Sequence, residues 1–344
     1  MRKKGVAGLI FMIFFVLAHA QQVRVLTVGR PVSLRGLSVP GDRVVWVSGS
    51  SGTVGISRDW GSSWKWTTVK GYEKTDFRDI WAFNEKEAVI MGITKPAVIL
   101  KTKDGGKTWT RSFMDSSESA FLDAMDFVGD QGIVTGDPQE GDILFAETTN
   151  RGKTWMLKNP SGFDTAAAGE SFFAASGSNC LIQKTPLGKT PFRYILVSGG
   201  KKSGLFISDG RYHTVRYPLN LNQGGETTGA NSIAINPANP DEAYVVGGDF
   251  SHDTSRYGNS LRISLSNFSQ TPPLDPPHGY RSCVEYIDNQ VMICCGTSGV
   301  DISTDGGTHW RLISAKSFHV CRASKNGKMV FLAGPGGTVA KLEQ

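Results

Sequence analysis

Seven short stretches of this 344-residue chain put a charged, amide or imidazole side chain where an apolar strand begins. They are Leu34-Arg35-Gly36-Leu37, Phe77-Arg78-Asp79-Ile80, Phe121-Leu122-Asp123-Ala124, Gly169-Glu170-Ser171-Phe172, Ala230-Asn231-Ser232-Ile233, Tyr280-Arg281-Ser282-Cys283 and Phe318-His319-Val320-Cys321. If these strands line one channel, Arg35, Arg78, Asp79, Asp123, Glu170, Asn231, Arg281 and His319 form a ring at its mouth. Partly desolvated groups of this kind must pair or await a ligand. Three arginines can grip an acidic or hydroxyl-rich group through paired N–H donors. Alternatively, two carboxylates among Asp79, Asp123, Glu170 and Glu226, held roughly 5–10 Å apart, could cleave a glycosidic bond, with Tyr280 supplying a phenol. The same composition also fits a solvated ring in which acids and arginines neutralise one another.

The elements that would hold such a ring are strands throughout. Runs such as Val44-Val45-Trp46-Val47-Ser48-Gly49 and Val54-Gly55-Ile56-Ser57 are apolar, short and bounded by Gly, Asp or Pro, which is the pattern of β-structure. No window carries a helical period. Second strands ending in Gly136-Asp137-Pro138, Ser198-Gly199-Gly200-Lys201 and Gly247-Gly248-Asp249-Phe250 should send loops to the face of the ring. Residues 225–231 and 277–281 lead directly into it.

A second pattern sets the period. Ser57-Arg58-Asp59-Trp60-Gly61-Ser62-Ser63-Trp64 returns around Asp104 and Trp109, around Asn150 and Trp155, and around Asp305 and Trp310. The first three copies recur every ~45 residues, as expected of small sheets that bury themselves only against neighbours. Asp or Asn at the third position can bond downstream N–H groups. Gly at the fifth supplies a positive φ, and Trp at the eighth can wedge between adjacent sheets. These eight Asp, Asn and Trp residues are therefore scaffold. Written Ser/Thr-x-Asp-x-Gly-x-x-Trp, the pattern resembles the Asp-box of bacterial neuraminidase repeats, a turn on the outer rim of β-propeller blades. Phasing the chain against it gives seven repeats, with weak boxes at Ile207-Ser208-Asp209-Gly210 and at 263–267. The last repeat stops one strand short, and the orphan strand Val23–Val28 can complete it, which closes the ring and removes exposed edges. The expected fold is all-β: one seven-bladed propeller over residues 21–344.

Residues 1–20 read as a signal peptide: Arg2-Lys3-Lys4, an apolar run from Leu9 to Leu17, and Ala18-His19-Ala20. No cysteine follows the cleavage motif and no later run reaches membrane-spanning length. The expectation is a periplasmic or secreted protein. Removing Arg2, Lys3 and Lys4 lowers Lys plus Arg from 37 to 34 against 31 acids, and the net charge from +6 to +3. Basic residues are scattered without interleaved aromatics, so nucleic acid is not an expected partner. Five cysteines leave at least one thiol without an intrachain partner. A turn at Asp288-Asn289 would set Cys283 opposite Cys294, either as a disulfide or as buried thiols packed like small hydrophobes. No metal-ligand spacing and no cofactor-binding fingerprint is present.

Through the boxes, the seven repeats and the strand closure, the mature chain also resembles exported propellers of the photosystem II stability/assembly factor family, some of them labelled oxidoreductase-like. That resemblance implies a non-catalytic binding or assembly role with an arginine-rich surface. The expected function is capture of a protein or polysaccharide partner at the polar mouth by a monomeric chain. The alternative is a sialidase-like glycoside hydrolase, in which Arg35, Arg78 and Arg281 would form the triad. The Phe-Arg-Ile-Pro segment of sialidases is missing, and Phe192-Arg193-Tyr194 lies mid-chain with a different continuation.

Overall fold

The computed structural model describes residues 21–93, 95–158, 164–184, 192–208, 214–325, 327 and 329–343. The expected signal peptide lies outside the described residues, as does the Asp209-Gly210 half of the weak box at Ile207-Ser208-Asp209-Gly210. Strands are arranged in five four-stranded sheets and one nine-stranded sheet, all antiparallel. The larger sheet contains two meanders, one around Phe192–Gly200 and one around Glu242–Asp249, joined where Gly199 meets Gly229. Among the described residues the sole helical element is a 3-10 turn at Pro335–Gly337, and no helix is long and apolar enough to cross a membrane.

The first strands of the meanders are Leu34–Gly41, Phe77–Ala82, Leu122–Val128, Cys180–Lys184, Thr228–Ile235, Cys283–Tyr286 and Val320–Ala323. They touch in that order, and the last returns to the first. Side chains cross from each of five of these inner strands to a backbone N–H of the next. Ser38 Oγ accepts from Ala82, Asp79 Oδ2 from Met125, Asp126 Oδ2 from Ile182, Ser232 Oγ from Val284 and Glu285 Oε1 from Ala323, at 2.7 to 3.4 Å. Each link satisfies an N–H that the spread between separate sheets would leave unpaired. At the chain ends, Gln22–Thr27 pairs with Val339–Glu343, from Gln22 opposite Glu343 to Thr27 opposite Val339.

Apolar clusters fill the spaces between sheets, where both faces of a strand are covered; Val44–Gly49 and Thr53–Ser57 are almost wholly buried while the outer Lys65–Thr68 is not. The four Asp-type turns share one geometry. Asp59 accepts from the Ser57 hydroxyl and the Ser63 N–H at 2.8 Å each, and Gly61 N–H reaches Ser57 Oγ at 2.9 Å. Asp104, Asn150 and Asp305 repeat this arrangement. A Cβ on Gly61, Gly106, Gly152 or Gly307 would strike the preceding sheet, at Leu26, Trp46, Val89 and Tyr244 respectively. Trp109 meets Trp46 edge-on at 6.4 Å, and Trp310 donates to the Tyr244 hydroxyl at 2.8 Å.

Two sequence expectations change. Glu170 does not open an inner strand: Glu170–Ser171 is a two-residue pairing onto Gly200 and Gly199, and the inner strand begins ten residues later at Cys180. Cys283 lies opposite Cys295, with Val284 opposite Cys294, because the hairpin turn is held by Asp288 Oδ1 accepting from Gln290 and Val291. All five cysteines are buried free thiols.

Candidate binding site at the channel mouth

Residues 172–179 cross the channel as a plug. Arg35 donates to the Ala175 carbonyl at 3.2 Å and Arg78 to that of Ala174 at 3.5 Å. Ser176 Oγ donates to the Ser282 carbonyl at 2.7 Å, and Ser178 Oγ to Ser232 Oγ at 2.8 Å. On the far side Arg322 reaches the Ser176 carbonyl at 3.0 Å. The plug therefore separates a mouth lined by Arg35 and Arg78 from a chamber beneath it.

Backbone irregularity aims the mouth residues. The ladder skips one residue between Leu34 and Gly36, Phe77 and Asp79, Leu122 and Ala124, and Ala230 and Ser232. The skipped residues are Arg35, Arg78, Asp123 and Asn231. A β-bulge leaves such a residue unpaired and turns its side chain out of the ladder, here near the start of four of the inner strands.

Charge at the mouth is unbalanced. Arg78 Nε pairs with Asp76 at 2.8 Å, both about a quarter exposed. Arg35 has no carboxylate within ion-pair distance among the described residues, and burial, then the charge of Arg78, lowers its pKa. His319 is pushed down to about 3 by burial and by the same two guanidinium groups, so its ring is neutral at pH 7. Asp123 is 0% exposed, and neither oxygen has a hydrogen bond of normal geometry. Burial foremost, then Asp137, holds its carboxyl well above the usual range, against the pull of Arg78 and of the Ala174 backbone. Asp137 is raised by burial as well, and accepts from the Phe172 N–H at 2.9 Å. Neither acid is in ion-pair contact with Arg35.

The other expected members of the ring lie elsewhere or are otherwise engaged. Arg281 is wholly buried and tied to Asp301 through Nε at 2.7 Å and through Nη2, with further bonds to the Tyr280 carbonyl and Ser298. Its position in Tyr-Arg-Ser-Cys mimics Phe-Arg-Asp-Ile, but Asp301, two strands away in the same sheet, captures it. Glu170 is locked to Arg216 at 2.9 Å and to Ser198 and the Ala167 N–H. Asp79 sits beneath the plug. Asn231 accepts from the Tyr280 phenol at 2.8 Å, while Glu226 is exposed on the loop before Thr228–Ile235. An aromatic rim was not foreseen. Phe173, Phe250 and Tyr280 meet edge to face at 6.0 Å, and Phe250 is 45% exposed. Phe250 follows Gly247-Gly248-Asp249, so an aromatic after a strand-ending Gly pair was the available signal. Among the described residues no three His, Cys, Asp or Glu side chains converge to hold a metal.

No protein-family model and no curated protein matches this chain. Solved structures do, at the level of fold. A structure described as YCF48 bound to D1 peptide aligns over 95% of this chain and 97% of its own, with TM-score 0.65 and 15% identity. YCF48 from Cyanidioschyzon merolae aligns over 94% and 99%, with TM-score 0.65 and 16% identity. The WD40 β-propeller domain of Doa1 aligns over 94% and 97%, with TM-score 0.64 and 12% identity. The chain is a β-propeller.

Proposed function

We propose that this chain is an exported, non-catalytic seven-bladed propeller that captures an acidic segment of a partner protein at the Arg35–Arg78 mouth. The leader-like residues 1–20 support export. The ring of first strands and the pairing of Gln22–Thr27 into the sheet of Val339–Glu343 support seven blades closed by the N-terminal strand. The four Asp-type turns then act as Asp-boxes on the outer seams.

One observation carries the binding reading: Arg35 is a partly buried cation with no carboxylate in ion-pair contact among the described residues, and its sole hydrogen-bond acceptor there is a peptide carbonyl. A buried charge without a counter-charge is costly, and an incoming carboxylate would relieve that cost. Phe250, packed on Phe173 and Tyr280, offers exposed apolar surface to a flanking side chain. That one propeller of similar fold holds a peptide is consistent with a peptide ligand here. A hydrolase reading has no comparable support. Asp123 and the Glu170 side chain are 0% exposed, Asp79 is 4% and Tyr280 5% exposed, so among the named candidates Glu226 alone is open to solvent and no exposed carboxylate pair flanks a sugar site.

The test is selection of a random peptide library on the purified protein, followed by titration of the retained peptides. Retained sequences should be rich in Asp and Glu, and Arg35→Ala or Arg78→Ala should weaken them at least tenfold. Selection of neutral or basic peptides, or binding indifferent to both substitutions, would refute the reading. Binding of oligo-uronates but no peptide would move the partner to an acidic polysaccharide.

A further inference from the structure

Beneath the plug the channel widens into a cavity of about 480 Å³, within the range of small-molecule sites. Every inner strand contributes to its wall. Leu37, Trp81, Ile182 and Ile235 are among the apolar parts, and Gly177 and Ser178 of the plug form the roof. Three carboxyl groups and one guanidinium interrupt this apolar surface, those of Asp79, Asp126, Glu285 and Arg322, while Lys325 lies on the exposed loop at the rim.

Arg322 is the one cation whose charge reaches the three acids, and it hydrogen-bonds to none of them. It directs Nη1 to Cys283 Sγ and the Cys321 carbonyl at 2.9 Å each, and Nη2 to the Ser176 carbonyl. Its ion pair with Glu285 spans 4.0 Å, too far for a hydrogen bond. Asp79 and Asp126 meet backbone N–H groups alone. Three acids thus line a partly open chamber with no cation in hydrogen-bond contact. Burial lifts Asp79 and Glu285 to about 7 and Asp126 to about 6. They come from three different sheets and do not converge on a point that a metal ion could occupy. A ligand that answers all of them must be larger than an ion, carry several N–H donors and bring apolar surface.

We propose that this chamber binds a small organic cation, an ammonium or amidinium head on an aromatic or aliphatic body. The head sits among Asp79, Asp126 and Glu285, and the body lies against Trp81, Ile182 and Ile235. The site is independent of the mouth, from which the plug divides it.

Benzamidine, benzyl alcohol and benzoate share one ring and differ in charge, so they serve as probes in titration calorimetry with the purified protein. Benzamidine should bind at least tenfold more tightly than benzyl alcohol, and benzoate should not bind. Glu285→Gln and Asp126→Asn should each weaken benzamidine at least fivefold, whereas Lys65→Ala, on the outer strand Lys65–Thr68, should leave it unchanged. Equal binding of the three probes, no binding at millimolar concentration, or wild-type affinity in both acid variants would overturn the proposal. Should the acid variants not fold, Ile235→Trp narrows the apolar wall, and undiminished benzamidine binding in that variant would overturn it equally.

Discussion

The Cα of Gly177 lies so close to Asp79 that a Cβ built on it would fall 2.2 Å from the carboxyl carbon. Gly177 also has φ of +66°, which side chains disfavour. Contact with the plug and the N–H groups of Ile80 and Met125 together fix the Asp79 carboxylate. Gly177→Ala should therefore cost roughly 2–4 kcal/mol, by strain and by displacing a bonded buried acid. Chemical denaturation measures it. Combining it with Asp79→Ala should recover part of the loss, because the obstruction is then gone; strict additivity would show that the two residues do not interact.

Asp79 also makes stability depend on pH. Its folded pKa, raised mainly by burial to about 7, exceeds the ordinary value of 3.8. The folded state therefore holds this proton more tightly than the unfolded chain. The stabilisation is complete below pH 4 and disappears as pH rises through 7, and each tenfold difference in proton affinity between the two states contributes about 1.4 kcal/mol. Asn at this position does not titrate. Melting temperatures of Asp79→Asn and wild type should thus diverge in favour of the variant between pH 4 and pH 8. Taking the difference cancels His319, which acts in the opposite sense because its folded pKa is depressed. A difference that is flat across this range would contradict a buried, proton-binding Asp79.

The sequence exposes the outer seams more readily than the channel, and the reason is locality. An Asp-type turn is closed by residues two to four apart, such as Ser57, Asp59, Gly61 and Ser63, so its chemistry is written in a contiguous string. The mouth depends on partners far along the chain. Arg35 answers Ala175, Arg281 answers Asp301, and Glu170 answers Arg216. Nothing near Glu170-Ser171-Phe172 announces that the following residues will cross the channel before the inner strand begins at Cys180. Asp126, Glu285 and Arg322 were visible as charges between apolar neighbours, as in Met125-Asp126-Phe127 and Val284-Glu285-Tyr286. Attention to the first residue of each strand passes over them, yet they line the chamber.

The tryptophans of the repeated turns should differ in importance according to burial. Trp310 is 4% exposed and donates to both Tyr244 and the Gly307 carbonyl. Trp155 is only half-buried, and its indole N–H meets no acceptor in the described structure. Trp310→Ala should cost about 3–5 kcal/mol, as large core truncations do, and Trp155→Ala roughly half as much. Equal melting temperatures for wild type and Trp310→Ala would refute the wedge between sheets.

His319 provides a spectroscopic reading of the mouth. Burial is the first cause of its depressed pKa, and Arg35 and Arg78 contribute as like charges. Replacing Arg35 by Met removes one positive charge while keeping apolar bulk. The imidazole pKa followed by NMR should then rise from about 3 towards the ordinary value, without reaching it, since burial and Arg78 remain. An acidic peptide bound to the wild-type mouth should act in the same direction, because its carboxylate offsets the same guanidinium charge. If the His319 resonances ignore both Arg35→Met and a bound acidic peptide, Arg35 is not the group that receives the ligand's charge.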